Sequence, residues 1–235
     1  MVKGLYFAAK SLQDKIRNIE IVANNLANIN TTGFKREIPF SEYLDREENK
    51  TVKQITDFSE GSLLETGNPF DLAISGKGFF VVKTEQGLEI TKNGKFKIDA
   101  EGFLTTEDGE RVQGKNGEIS FLENIFESNK PVTITKDGII KVGDEIVNQL
   151  KIVEVEDTRK LIRSGNGKYY LADEDYRKAP ESDFEIHQGY LEESNTNPIL
   201  EMQAMIKLEK DYEASQKMIA SLDQMMGQAK EIGKV

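Results

Sequence analysis

Apolar residues at both ends of the chain recur in alternating steps of four and three. At the front they are Leu5, Ala9, Leu12, Ile16, Ile19, Ala23 and Leu26; at the back, Met205, Leu208, Tyr212, Ser215, Ile219, Leu222, Met226 and Ala229. This is the a/d spacing of a heptad, and it predicts one helix from about Gly4 to Asn28 and another running on from Pro198. Lys10, Asp14, Lys15, Arg17, Asn18 and Glu20 fall off the first seam, on the side expected to face water. The first helix should stop between Asn30 and Gly33, where Asn and Thr compete with the helical backbone and Gly33 can turn left-handed. Pro198 suits a first helical turn, and Asn195 or Asn197 can cap it. Ser215 is the one polar seam residue, Gly227 weakens the end, and Gly233 should lie beyond it. A lone helix of this length is marginal in water. The two termini are therefore expected to pair as a coiled-coil stalk, the other solution being ordinary amphipathic packing on the chain's own domain. A two-helix stalk is itself weakly stable, so the seam also wants neighbouring molecules. Met202, Met205, Met218, Met225 and Met226 crowd the last helix, and such adaptable side chains suit packing against non-identical neighbours as well as plain core filling.

The middle differs in kind. Asn93-Gly94, Glu101-Gly102, Asp108-Gly109 and Asn116-Gly117 are turn dipeptides at spacings of 8, 7 and 8 residues, with short segments such as Phe96-Lys97-Ile98 between them. That is the pattern of an antiparallel meander. Further strands are expected at Leu72–Ile74 and Phe79–Val82, around the turn Gly76-Lys77-Gly78, and at Val132–Thr135, Ile139–Val142, Gln149–Val155 and Tyr169–Ala172. The fold class is α+β: terminal heptad helices with an inserted all-β antiparallel domain. The expected division is residues 1–35 for the first helix, 36–67 for an extended linker with a strand or hairpin near Val52–Phe58, 68–189 for the β domain and 190–235 for the last helix.

Several function classes are disfavoured. The 235 residues carry 31 Lys and Arg against 41 Asp and Glu, a net charge of −10 with no basic cluster, which argues against nucleic acid. There is no cysteine, hence no disulfide, thiolate nucleophile or Cys-based metal site, and the single histidine, His187, reads as a structural one. No stretch approaches the roughly 20 apolar residues of a membrane span. The start is too short and too soon charged for a secretory signal peptide. Gly76-Lys77-Gly78 lacks the rest of a phosphate loop. Asp99, Glu101, Glu107, Asp108 and Glu110 offer paired carboxylates, but at turn and solvated strand positions. No cofactor, metal or small-molecule substrate is expected.

Ala23-Asn24-Asn25-Leu26-Ala27-Asn28, then Thr31, then Gly33-Phe34-Lys35, resembles the N-terminal signature of the bacterial flagellar rod and hook proteins. Gly189-Tyr190-Leu191-Glu192, Ser194-Asn195, Asn197-Pro198 and Glu201-Met202, continuing to Lys217-Met218-Ile219, is similar to that family's C-terminal helix. Gly67 to Ile74, Gly78 to Val82 and Thr91-Lys92-Asn93-Gly94 match in between, whereas Arg36 to Leu64 and Asp157 to Asp183 match poorly. Hook proteins are longer and the smaller rod proteins lack most of the β domain, which leaves the proximal-rod F type and the distal-rod G type. Asn68 to Ile74 and the short linker after Lys35 look closer to the F type.

The resemblance implies a structural subunit of the flagellar basal body. It would be exported unfolded by the flagellar type III apparatus without a cleaved signal, and assembled helically with itself and other rod proteins in the periplasmic space. It would not insert into the membrane. Its terminal helices would form the inner wall. The expected assembly interface is Leu5, Leu12, Ile16, Ile19, Ala23, Asn24, Asn25, Leu26, Asn28, Thr31, Gly33 and Phe34 with Met205, Leu208, Tyr212, Ile219, Leu222 and Met226. In it Leu12, Ile16, Ile19 and Leu26 would drive packing, and Asn24, Asn28 and Thr31 would set geometry. The competing classes are a secreted β-domain binding module on a stalk and a hydrolase using the β-domain carboxylates.

Overall fold

A computed structural model describes residues 2–39, 55–121, 130–171, 176–180 and 183–232 of the chain. It divides into two compact units: Met1–Ile29 with Glu37–Ile55 and Thr196–Val235, and Asn30–Arg36 with Thr56–Asn195.

The first unit holds the two long helices, α1 (Val2–Ala27) and α2 (Pro198–Ile232). They pack against each other antiparallel, since Lys15 reaches Asp211 and Ser215 while Asn25 reaches Glu201. Asn197 caps α2: its Oδ1 accepts from the N–H groups of Ile199 (3.0 Å) and Leu200 (3.2 Å), satisfying two of the orphan donors of the first turn. Gly227 does not stop α2, which continues to Ile232, and Gly233 lies outside the described residues. At the other end Asn28 ends α1, its N–H and its side-chain amide both donating to the Asn24 carbonyl. Gly33 takes a left-handed φ of 66°, but it lies six residues past the helix and does not cap it. Of the strand expected at Val52–Phe58, residues 52–54 lie outside the described residues.

The strands follow in chain order. β1 (Glu37–Ile38), β2 (Ile55–Thr56) and β3 (Leu63–Glu65) come first; then β4 (Leu72–Gly76), β5 (Phe79–Thr84), β6 (Gly87–Thr91), β7 (Phe96–Ile98), β8 (Leu104–Thr106), β9 (Arg111–Gly114) and β10 (Gly117–Glu118). β11 (Val132–Ile134), β12 (Ile139–Val142), β13 (Glu145–Gln149), β14 (Ile152–Glu154), β15 (Ile162–Gly165), β16 (Lys168–Tyr170), β17 (Arg177–Lys178), β18 (Phe184–Gln188) and β19 (Tyr190–Glu192) complete them. The main sheet runs β15-β16-β6-β5-β9-β8-β7, with β14 pairing both β5 and β17. β11-β12-β13, β18-β4 and β19-β3 form separate antiparallel sheets.

β5 explains the unbroken run Phe79-Phe80-Val81-Val82. Side chains alternate across a strand, and here each face meets a core. Phe80 and Val82 join Leu72, Ile74, Leu104, Ile140 and Ile186; Phe79 and Val81 join Ile90, Val153 and Tyr169. Phe58 closes the second core edge-on against Phe79 and Tyr169.

The meander expectation holds from β7 to β10, whose turns use Gly102 and Gly109 at φ 81° and 89° and Gly117 at 94°. It fails at Asn93-Gly94, because β6 and β7 are not neighbours in the sheet. Gly94 is there for close approach: a Cβ on it would stand 1.7 Å from the Leu72 carbonyl oxygen. The Gly76-Lys77-Gly78 turn likewise joins strands of different sheets, β4 pairing with β18. The segment expected at Gln149–Val155 is split between the end of β13 and β14, and Ala172 lies outside the described residues.

Candidate functional site

Among the described residues, the two helices expose several large apolar side chains. On α1, Leu12, Ile19 and Leu26 are half-buried, and Val22 and Asn25 are fully buried. Ile16 is 42% exposed, and Ala9 and Ala23 face solvent with it. The buried stripe therefore runs 8, 12, 15, 19, 22, 26, 29, and a second runs outward through 9, 16 and 23. The buried stripe shares only Leu12, Ile19 and Leu26 with the seam read from sequence. Nothing is described of the Leu5 side chain.

Lys15, expected in water, is half-buried in this inward stripe. Its Nζ donates to Ser215 Oγ (2.6 Å) and to the Asp211 carbonyl (2.9 Å), so its stem lies along the helix pair while the ammonium finds partners. Ser215, the polar residue in the α2 seam, is where that bond lands; a polar pair inside an apolar seam fixes the register of two helices.

On α2 the half-buried residues Met205, Leu208, Tyr212, Ser215, Ile219 and Met226 coincide with the heptad read from sequence, and Leu222 sits at its margin. Away from that seam, Ile199, Met202 and Ile206 lie exposed on one side at the start, with Ile206 54% exposed, and Met218 (64%) and Met225 on the other side towards the end. The steps 199, 202, 206 were legible as a stripe of their own. Nothing is described of the Ala229 side chain.

The asparagines divide by role. Asn25 is wholly buried and acts like a strand edge: its Nδ2 donates to the Glu37 carbonyl (2.8 Å), its Oδ1 accepts the Glu37 N–H (2.9 Å), and its Nδ2 also reaches Glu201 Oε2 (3.2 Å). Asn28 turns to Asn24 one helical turn back, donating to its carbonyl and to its Oδ1. Asn24 is exposed.

Thr31, Gly33 and Phe34 belong to the β unit. Phe34 is buried beneath the Arg163 guanidinium, 4.6 Å from its ring centre, and the Gly33 N–H donates to the Glu192 carbonyl (2.7 Å). Lys35 and Glu192 form an ion pair that burial hides completely. Close by, the Lys92 amine is pushed down to about 8 by burial, a push that the Glu192 carboxylate resists and the Lys35 charge reinforces.

The carboxylates Asp99 to Glu110 are engaged locally. Asp99 accepts from the N–H groups of Glu101 and Phe103, Glu101 pairs with Arg111, Glu107 with Lys95, and Glu110 with Lys168. His187 pairs across to Ala73 on β4, with Tyr190 at its edge. Among the described residues no three His, Asp or Glu are grouped to hold a metal, and no helix is long and apolar enough to cross a membrane.

Three family profiles match: "Flagella basal body rod protein" over residues 5–35, "Flagellar hook protein FlgE/F/G D1 domain" over 73–142, and "Flagellar basal body rod FlgEFG protein C-terminal" over 187–232. The chain is 33% identical to the flagellar basal-body rod protein FlgF of Caulobacter vibrioides, over all of both chains. It is 32% identical to FlgF of Buchnera aphidicola subsp. Schizaphis graminum over 95% of each. To FlgG of Buchnera aphidicola subsp. Baizongia pistaciae it is 28% identical, over 96% of this chain and 98% of that one.

Proposed function

The chain belongs to the family of flagellar basal-body rod proteins, and we propose that it is the F-type, proximal-rod subunit, built into the rod through the outward faces of its two terminal helices. It is a structural protein and not an enzyme, and it assembles with other rod proteins. In this reading the flagellar type III apparatus exports it unfolded, without a cleaved signal, and it joins the rod in the periplasmic space. Its helices then pair as a coiled coil locked by Lys15 and Ser215.

One observation carries the assembly reading: both helices keep a second apolar stripe after their mutual seam is filled. Ile16 with Ala9 and Ala23 on α1 differs in shape from Ile199, Met202 and Ile206 on α2. Unlike patches that meet between copies make a heterologous contact, which runs on into a ring or an open helical array instead of closing as a two-fold dimer. Each large apolar side chain so buried contributes about 1.5–3 kcal/mol. The F-type assignment is favoured by identities of 33% and 32% to two FlgF relatives, against 28% to a FlgG relative.

The test replaces the chromosomal copy with Ile206→Asp and counts this chain by mass spectrometry in purified basal bodies. The variant should be made and exported at the wild-type level yet be missing from the rods, with motility lost. Incorporation at the wild-type level would contradict the assembly reading. Immunogold labelling of wild-type rods should mark the proximal end; a distal label would move the chain to the G type.

A further inference from the structure

Three segments far apart in sequence are tied together inside the β unit: 31–36, 57–62 and 192–195. Lys35 Nζ donates to the Ser59 carbonyl (2.7 Å) and to Glu192 Oε1 (2.5 Å), and the Gly61 N–H donates to that same carboxylate oxygen (2.9 Å). The Gly33 N–H meets the Glu192 carbonyl (2.7 Å), the Asp57 N–H the Arg36 carbonyl (2.8 Å), and the Glu193 N–H the Ser62 carbonyl (2.8 Å). Asn195 bridges all three: its Oδ1 accepts from the Arg36 N–H (2.8 Å), and its Nδ2 donates to the carbonyls of Asp57 (2.8 Å) and Ser59 (3.1 Å). The fit leaves no slack, since a Cβ on Gly61 would stand 2.0 Å from the Glu193 carbonyl oxygen.

The chemistry at this junction is unlike the rest of the unit. Lys35 and Glu192 side chains are 0% and 1% exposed. Among the described residues, the second carboxylate oxygen, Glu192 Oε2, is buried with no hydrogen-bond partner. A further amine, that of Lys92, is 4% exposed beside the pair and donates to the Gly76 carbonyl. Desolvation offsets much of the attraction within a buried ion pair, and the offset grows when an oxygen stays unsatisfied. Opening would rehydrate these groups while exposing Phe34 and Phe58, whereas opening the core around Phe80 and Leu104 would expose a far larger apolar cluster. Local unfolding takes the route of least loss.

We propose that Lys35 and Glu192 form a clasp: the segments on either side of them open together, as one unit, while the core around Phe80, Leu104, Phe121 and Leu150 stays closed. The device holds the stretch that follows α1 to the stretch that precedes α2, and releases both in a single step. The signature residues Gly33, Lys35, Glu192 and Asn195 then serve this internal lock. The inference is independent of the F-type reading and of the helix faces.

Native-state hydrogen exchange on the full-length chain tests it. The clasp amides are Gly33, Asp57, Gly61 and Glu193; the core amides are Leu104, Phe121 and Leu150, which bond to Ile119, Gly102 and Gly138. In the wild-type protein the clasp set should exchange at least tenfold faster than the core set, with one shared dependence on low urea. Lys35→Met should accelerate the clasp set a further tenfold or more and leave the core set within threefold. Lys35→Met/Glu192→Leu, an apolar pair, should return the clasp set to within threefold of wild type. Gly61→Ala should open the same four amides without touching a charge. The proposal is overturned if the wild-type clasp and core amides exchange together, or if Lys35→Met accelerates all seven equally. The wild-type comparison decides the matter even should a variant not fold.

Discussion

The two units of this chain finish different fractions of their own packing. In the β unit a strand such as β5 buries both faces, Phe80 and Val82 into one core and Phe79 and Val81 into the other. In the helical unit α1 and α2 each bury one stripe and present another, with Ile16, Ile206 and Met218 in water. A soluble protein keeps exposed apolar patches small unless something covers them. Among the described residues the β unit also exposes Leu64 and Ile146, but the helices carry most of the exposed large apolar side chains, the ones the proposed assembly would cover.

Substitutions should separate the two. Phe80 is fully buried and stands edge-to-face with Phe96 at 5.1 Å. Phe80→Ala should therefore destabilise the β unit by about 3–5 kcal/mol, read as a fall in the urea midpoint at unchanged slope. A loss under 1 kcal/mol would mean the unit is not closed as described.

Lys92 gives the next largest effect, and its sign is particular. Its folded pKa, about 8, lies below the ordinary lysine value of 10.5. Between those pH values the unfolded chain holds a proton the folded chain has released, so this group makes stability rise with pH across the window. Below about pH 8 both states are protonated and the burial penalty is fully present. Relative to Lys92→Met, wild type should therefore gain about 2–3 kcal/mol of stability as the pH rises from 8 to 10.5. Equal pH profiles for the two proteins would contradict the assigned burial.

The helical unit should respond more gently. Asn197→Ala removes the cap of α2 and should cost about 1 kcal/mol, seen in the helical circular dichroism of the isolated chain. An unchanged melting curve would show that other groups satisfy that first turn.

The sequence reading succeeded where one residue type has one use. The seam of α2 could be read directly, because its half-buried residues follow the heptad and its remaining exposed apolar residues fall on different steps. On α1 it slipped by one position. Leu12, Ile19 and Leu26 belong to both possible stripes, and nothing local tells Ile16, which faces out, from Val22, which faces in. Spacing identified Gly102, Gly109 and Gly117 as turn residues but misread Gly94, whose reason is the carbonyl of Leu72, a neighbour only through the fold. The Lys35–Glu192 pair was hidden for the same cause. Its members are 157 residues apart, and a buried ion pair leaves no periodic trace.

If the rod is built as proposed, the exposed stripes of α1 and α2 meet between copies. The chain has no cysteine, so paired single substitutions report contacts without background. Purified basal bodies carrying Ile16→Cys with Ile206→Cys, oxidised under mild conditions, should yield disulfide-linked species containing this chain that the free monomer does not form. Rods in which both cysteines remain as free thiols, open to maleimide labelling, would show that the stripes face something other than each other, and the account would be wrong.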